Sequence, residues 1–212
     1  MKKVVILGDS GHSKVVADLI HSNEGMSLTA KLDDRYDEVF VGEGVTKGPI
    51  SHLRQLLQEE SNIYVVLGIG SNVVRKKLVK ELGVPRSSFI SLIHPTAVIS
   101  PSAVIGLGTV IMPRVVVNAD TIIGDHAILN TGSIIEHDCK VADYTHISPQ
   151  AILAGGVAVG EGAHIGAGAS VIPLKTVGEW STIGAGAAVV SNINRKVTAV
   201  GVPAKEIRKE GI

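Results

Sequence analysis

The chain has 212 residues and carries 20 Lys+Arg against 20 Asp+Glu, a formal net charge of zero, with 45% hydrophobic but only 3% aromatic residues. That balance leaves no basic footprint for nucleic acid, and no apolar run approaches the roughly 20 residues needed to span a bilayer. One cysteine excludes an internal disulfide framework and a multi-cysteine zinc site, and the short aliphatic run Val4–Leu7 after Met1-Lys2-Lys3 cannot serve as a signal-peptide core, so a cytoplasmic protein is expected.

In chain order, Lys3 to Leu7 reads as a strand ending in Gly8-Asp9-Ser10-Gly11-His12, followed by Val15, Val16, Leu19 and Ile20 at helical spacing. A second run, Leu28 to Leu32, ends in Asp33-Asp34. A third, Ile63 to Leu67, ends in Gly68-Ile69-Gly70-Ser71-Asn72 and hands over to a helix with Val74, Leu78 and Leu82. Phe89 to Ile93 reads as a final strand. This is βαβ grammar, and it predicts a small parallel sheet of Rossmann type over residues 1–93.

The turns holding Gly8, Ser10, Gly11, His12 and Gly70 lie where strands give way to helices, where backbone N–H groups can hold a phosphate. The spacing Gly8-x-x-Gly11 is not the dinucleotide fingerprint. Asp33 and Asp34 suit hydrogen bonds to a ribose or a base. The same residues would serve equally well to turn the chain and meet water, and the motif alone leaves both readings open.

His94-Pro95 marks a boundary, since the residue before proline is held out of helix. From Ile99 to Val189 every sixth residue is aliphatic, and four places after most of them comes a small residue such as Ala127, Ser133, Cys139 or Thr145. Lys175 and Ile193 interrupt that second pattern. A period of six is neither helical nor alternating; it predicts a parallel β-helix over 94–200, a triangular prism of about 18 residues per coil and about five coils, followed by a tail at 201–212. The outward Val98, Val104, Val110, Val116, Ile122, Ile128 and Ile134 read as an apolar stripe that implies a partner surface. Cys139, in a small corner slot, reads as a buried small hydrophobe rather than a reactive thiol.

Chemistry on such a prism belongs to its corners and outer faces. His137 and Asp138 follow Ile135 at a turn, and Gly155 lies 18 residues beyond His137, directly one coil above it. His146 and His164 are also one coil apart and point outward, and His126 occupies another corner. A neutral imidazole oriented by Asp138 or Glu136 could act as a general base. Three histidines could instead hold zinc, but the spacing of 126, 137, 146 and 164 lacks a close pair of ligands, and no metal is expected.

Gly8-Asp9-Ser10-Gly11-His12-Ser13-Lys14, Leu32-Asp33-Asp34, Asn130 through Cys139, Tyr144-Thr145-His146-Ile147-Ser148 and Gly201-Val202-Pro203-Ala204-Lys205 together resemble the bacterial sugar acyltransferases of the sialic acid O-acetyltransferase family, within it the UDP-4-amino-sugar N-acetyltransferases that make bacillosamine-type sugars. The resemblance covers essentially the whole chain. It implies a left-handed prism, acetyl-CoA as co-substrate and a nucleotide-linked amino sugar as acceptor, feeding glycan or exopolysaccharide synthesis. It further implies His137 as the base, Asp138 as its orienting partner, Asn130 as an acceptor contact and His146 near the thioester. Gly155 would donate its N–H to the thioester oxygen, and Gly166-Ala167 and Gly184-Ala185 would line the coenzyme A surface. Family members are trimers with each site between two prisms. Two other readings stand beside this one: O-acetylation of a hydroxyl acceptor, and a metal-dependent or scaffold β-helix.

Overall fold

The structure, a computed structural model, describes residues 1–207; of the tail at 201–212, residues 208–212 lie outside the described residues. β1 (Lys2–Leu7) is flanked in parallel by β2 (Met26–Leu32) and β5 (Ile63–Leu67). β4 (Val45–Gly48) adds a further parallel strand beside β2, and β3 (Phe40–Gly42) closes that edge antiparallel. Helices α1 (Gly11–His21), α2 (Leu53–Glu59) and α3 (Asn72–Leu82) cross over between strands. β1 is apolar without alternation because both of its faces are covered. Val4 and Ile6 pack with α1 and the prism, whereas Val5 and Leu7 pack with Leu53 and the inner side of α3. α3 begins at Ser71, whose hydroxyl accepts from the Val74 N–H, and ends at Gly83 in the left-handed region. At Gly68 a β-carbon would sit 2.6 Å from Ile6 Cγ2 and 2.8 Å from Ser13 Cβ, so only glycine lets β5 end against the start of α1.

Phe89 to Ile93 is not one strand. Phe89 makes a lone parallel bridge to Val65, whereas β6 (Leu92–Ile93) pairs with Val110–Ile111 as the lowest rung of the prism. The run is apolar because it crosses between two sheets and is buried by both; the hexad register thus begins one step below Ile99.

The prism has three parallel faces. The first stacks the strands of Val98, Val116, Ile134, Ile152, Ser170 and Ala188; the second those of Val104, Ile122, Lys140, Ala158 and Thr176; the third those of Leu92, Val110, Ile128, His146, His164 and Thr182. The inward aliphatics from Ile111 to Val189 are buried. At each corner from Gly108 to Gly186 a left-handed residue, for example His126, Asp138, Tyr144 or Gln150, directly precedes the second slot. The small side chains point inward, and their polar atoms reach the coil above: Thr109 Oγ1 donates to Gly124 O (2.8 Å), Thr121 Oγ1 to Glu136 O (2.7 Å) and Cys139 Sγ to Ala154 O (3.3 Å). Cys139 is thus a structural member of a hydroxyl-like column, and burial pushes its thiol pKa up.

The outward aliphatics do not form one stripe. A set with period six steps to the next face at every member, so Val98 and Ile134 fall on the first face, Val104 and Ile122 on the second, and Val110 and Ile128 on the third. Val110 and Ile128 are buried beneath the N-terminal unit. The interruption at Ile193 is a shortened coil: Ile193 is buried and bridges Val177, and Thr198 pairs with Thr182, both separations being 16 residues instead of 18. Lys205–Ile207 then folds antiparallel onto Thr198–Val200. Among the described residues no helix is long and apolar enough to cross a membrane.

Candidate active site

His137 projects from the corner joining the first and second faces. Its Nδ1 lies 2.7 Å from Asp138 Oδ2. Asp138 is the left-handed corner residue (φ 61°), a conformation that aspartate tolerates better than most side chains. The Asp138 hydrogen bond, against the smaller effect of burial, raises the His137 pKa above its ordinary value. With Nδ1–H donated to the carboxylate, Nε2 is the free acceptor, a tautomer assigned from this geometry. Glu136, the other acidic neighbour, is engaged elsewhere: its Oε2 accepts from Asn118 Nδ2 at 2.8 Å. One coil above, a β-carbon on Gly155 would lie 2.6 Å from His137 Cε1 and 2.7 Å from Nε2, so the imidazole lies against the bare backbone of Gly155.

His146, Asn130 and His164 meet on and beside the third face. Asn130 Nδ2 lies 3.2 Å from His146 Nε2, while Asn130 Oδ1 accepts the Thr131 N–H (2.8 Å). The rings of His146 and His164 stack at 4.8 Å and 3°, and His164 Nε2 lies 2.8 Å from Ser148 Oγ. These rings point outward from the prism, but the N-terminal unit covers them. Burial, joined by the charges of His164, Arg75 and His12, lowers the His146 pKa to about 3. His146 is therefore neutral and accepts the Asn130 hydrogen bond. Burial and then Arg75 also lower His12 to about 4, and His12 Nε2 is buried with no partner among the described residues. His126 is buried as well, stacked on Tyr144 at 5.2 Å.

The structure divides the expected residues between two edges of the first face. His137, Asp138 and Gly155 stand at one; Asn130, Gly166-Ala167 and Gly184-Ala185 stand at the other, where the third face meets the first.

The N-terminal unit supplies a polar cleft of about 470 Å³ lined by Ser10, Gly11, Lys14, Lys31, Arg35 and Lys47 around the carboxylates of Asp9 and Glu43, the latter 2.9 Å from Lys47. Gly8 turns the chain at φ 102°. Asp9 accepts from Tyr36 Oη at 2.6 Å and pairs with Lys47 (3.2 Å) and Lys31 (3.6 Å). Burial pushes the Asp9 pKa up, but the Tyr36 hydroxyl and Lys47 outweigh it and hold it below the usual value. Asp33 accepts the Asp9 N–H (2.7 Å) and the Arg35 N–H (3.0 Å) and so braces the turns beside the cleft, whereas Asp34 accepts the Ile50 N–H (2.9 Å) and lines a separate pocket with Ile50 and Arg54. Gly70 lies at the junction with the prism, its carbonyl held by Arg75. Sequence reasoning missed Lys31, Arg35 and Lys47; the available signal was a lysine next to the end of a strand, Ala30-Lys31-Leu32, close to Asp33-Asp34.

The sequence profile of the PglD N-terminal domain matches residues 3–82. The whole chain is similar to a histidine-to-alanine variant of GDP-perosamine N-acetyltransferase from Caulobacter crescentus, solved with CoA and GDP-perosamine. The TM-score is 0.89 and the identity 37%, over 99% of this chain and 98% of that one. The chain belongs to this family of sugar N-acetyltransferases. Within the family it is also similar to the acetyltransferase domain of PglB from Neisseria gonorrhoeae FA1090 in complex with acetyl coenzyme A. There the TM-score is 0.85 and the identity 35%, over 97% of this chain and 99% of that one. It is 46% identical over 112 residues to UDP-N-acetylbacillosamine N-acetyltransferase of Bacillus subtilis, a match that spans 53% of this chain and about half (52%) of that relative. The family fold is a Rossmann-like domain followed by a left-handed parallel β-helix, as the sequence predicts.

Proposed function

We propose that this chain transfers the acetyl group of acetyl-CoA to the 4-amino group of a UDP-linked amino-dideoxysugar, for glycan or exopolysaccharide synthesis. The observation that carries the reading is His137, held through Nδ1 by Asp138 with Nε2 free, lying against Gly155 one coil above. In this mechanism the amine lone pair attacks the thioester carbonyl carbon, and His137 Nε2 takes the proton the nitrogen must lose. The carbonyl oxygen becomes an oxyanion, for which the Gly155 N–H is the donor. Collapse of the tetrahedral species breaks the carbon–sulfur bond and releases the CoA thiolate, which is protonated as the thiol. No nucleophile of the protein is needed, and Cys139 is buried at its corner.

Acetyl-CoA binding falls to His146, Gly155, Gly166, Ala167, Gly184 and Ala185, with Asn130 holding the acceptor. Gly8, Ser10, Gly11, His12, Asp33, Asp34 and Gly70 form the nucleotide-sugar turns. The open start of α1, where Ser10 makes no side-chain cap, and the lysines beside it suit a diphosphate. His137 and the Ala167–Ala185 edge stand at opposite ends of the first face, which supports a homotrimer in which one protomer supplies the base and its neighbour the coenzyme A edge. Both substrates place the reaction in the cytoplasm. The test is thiol release from acetyl-CoA with a panel of UDP-, GDP- and dTDP-linked 4-amino sugars and a sialic acid. Turnover on a UDP-linked amine sustains the proposal, and turnover on the hydroxyl acceptor alone replaces it with O-acetylation.

A further inference from the structure

We propose that Arg75 is a positioning residue for acyl transfer: it locks the turn that carries Gly70 to the coil that carries His146, and so sets where the bound acceptor meets the prism. This rests on the function proposed above, because Gly70 and His146 acquire their roles there.

Arg75 lies on α3, is 1% exposed, and has no carboxylate partner among the described residues. A buried charge is ordinarily paired. Here all the hydrogen bonds of the guanidinium go to main-chain carbonyls. Nε donates to His126 O (3.1 Å); Nη1 donates to Ile69 O (3.3 Å) and Gly70 O (2.9 Å); Nη2 donates to Tyr144 O (2.9 Å) and Thr145 O (3.0 Å). These carbonyls come from three separate segments, the turn after β5 and two successive coils. A rigid planar fork can satisfy all of them at once, which three donors on one lysine nitrogen cannot.

The grip repeats one coil higher. Asn72, one turn before Arg75 on the same helix, donates through Nδ2 to Gly162 O (2.9 Å) and Ala163 O (3.2 Å). Thr145 and Ala163 occupy equivalent positions in adjacent coils, and each directly precedes one of the stacked histidines, His146 and His164. A single helix face thus holds the carbonyl beside each ring, while its own N-terminal turn belongs to the nucleotide unit. The outer bonds of this junction, Lys76 to Glu161 and Arg86 to Asp125, are side-chain ion pairs nearer the surface and leave the buried guanidinium untouched.

The charge of Arg75 also bears on the rings it holds in place. It acts with burial to keep His12, His146 and His164 neutral, and the groups facing His146 are His164, Arg75, His12 and the Gly70 carbonyl.

The test compares wild type with R75K and R75Q, with the thermal midpoint of each measured alongside. In folded R75K, KM for the nucleotide sugar rises and kcat falls, together by roughly 10- to 100-fold in kcat/KM, while KM for acetyl-CoA, whose proposed site meets this lock only through His146, rises several-fold less. R75Q, with fewer donors and no charge, loses more. Wild-type constants in R75K overturn the proposal, as does a parallel rise in both KM values that follows the loss of thermal stability. If the wild type acetylates no nucleotide amino sugar, the functional reading fails. Arg75 is then judged by amide hydrogen exchange: faster exchange in both 69–75 and 142–147 of R75K sustains the lock, and unchanged exchange overturns it.

Discussion

The imidazole of His137 lies against Gly155 so closely that a β-carbon there would stand 2.7 Å from Nε2, the nitrogen left free by Asp138. Gly155 does not have a left-handed backbone, so alanine fits its dihedral angles and the cost of G155A falls on the ring alone. The variant is expected to fold, with unchanged circular dichroism, and to lose roughly 10²–10³ in kcat as the ring and the N–H donor are forced apart. Steady-state rates near wild type would remove Gly155 from the site.

Replacing His137 with alanine removes the proposed base without disturbing the inward column, since the ring is exposed at its corner. Turnover should fall by roughly 10²–10⁴, with acetyl-CoA affinity by calorimetry little changed.

The pH dependence follows from Asp138. The base must be neutral, and the Asp138 carboxylate raises the His137 pKa, so kcat/KM should climb through a value above the ordinary histidine pKa of about 6.5. In D138N that support is gone. The acidic limb should move to lower pH while the plateau falls, because the ring is no longer held in one tautomer. A limb that stays in place, or moves up, contradicts the pairing.

The hexad register from Ile99 to Val189 was legible because every inward slot demands an aliphatic side chain, and an offset of 18 residues placed Gly155 above His137 by counting alone. The cover over His146 and His164 was not legible. It depends on how α3 docks, and a segment reading Arg75-Lys76-Lys77 looks like a solvated helix face, with nothing in its spacing to mark Arg75 as buried. The strand expected at Phe89 to Ile93 failed for a related reason: apolarity reports burial but not which sheet does the burying.

A shared site between protomers has a direct test. H137A and an Asn130→Ala variant should each be nearly inactive alone, and subunits mixed through mild denaturation and refolding should regain activity, because some interfaces then carry an intact His137 facing an intact Asn130. Activity that stays at the sum of the two variants would place both residues in one protomer's site.

Asp9 ties the nucleotide unit together electrostatically. Its pKa is lowered in the folded state, so its contribution to stability is present above the unfolded value of about 3.9 and is lost as pH falls through the folded value. D9N leaves the buried Lys31 without a carboxylate partner among the described residues and Lys47 with Glu43 alone, and should destabilise the fold by about 1–3 kcal/mol at neutral pH in a denaturant titration. The gap between variant and wild type should narrow in acid; a gap that widens there would overturn the assignment.

The two-residue deletion in the last coil also has a consequence for how the prism ends. A regular coil would end in open strand edges, ready to accept another molecule's strand. Here the shortened turn brings Gly201 back so that its carbonyl takes the Ala188 N–H, the Ala204 N–H reaches the Ala188 carbonyl, and Lys205–Ile207 runs antiparallel along the third face. The upper strand of the first face is thereby covered, and the third face ends on a short antiparallel strand instead of a parallel rung, so a further coil of the same kind does not simply stack there.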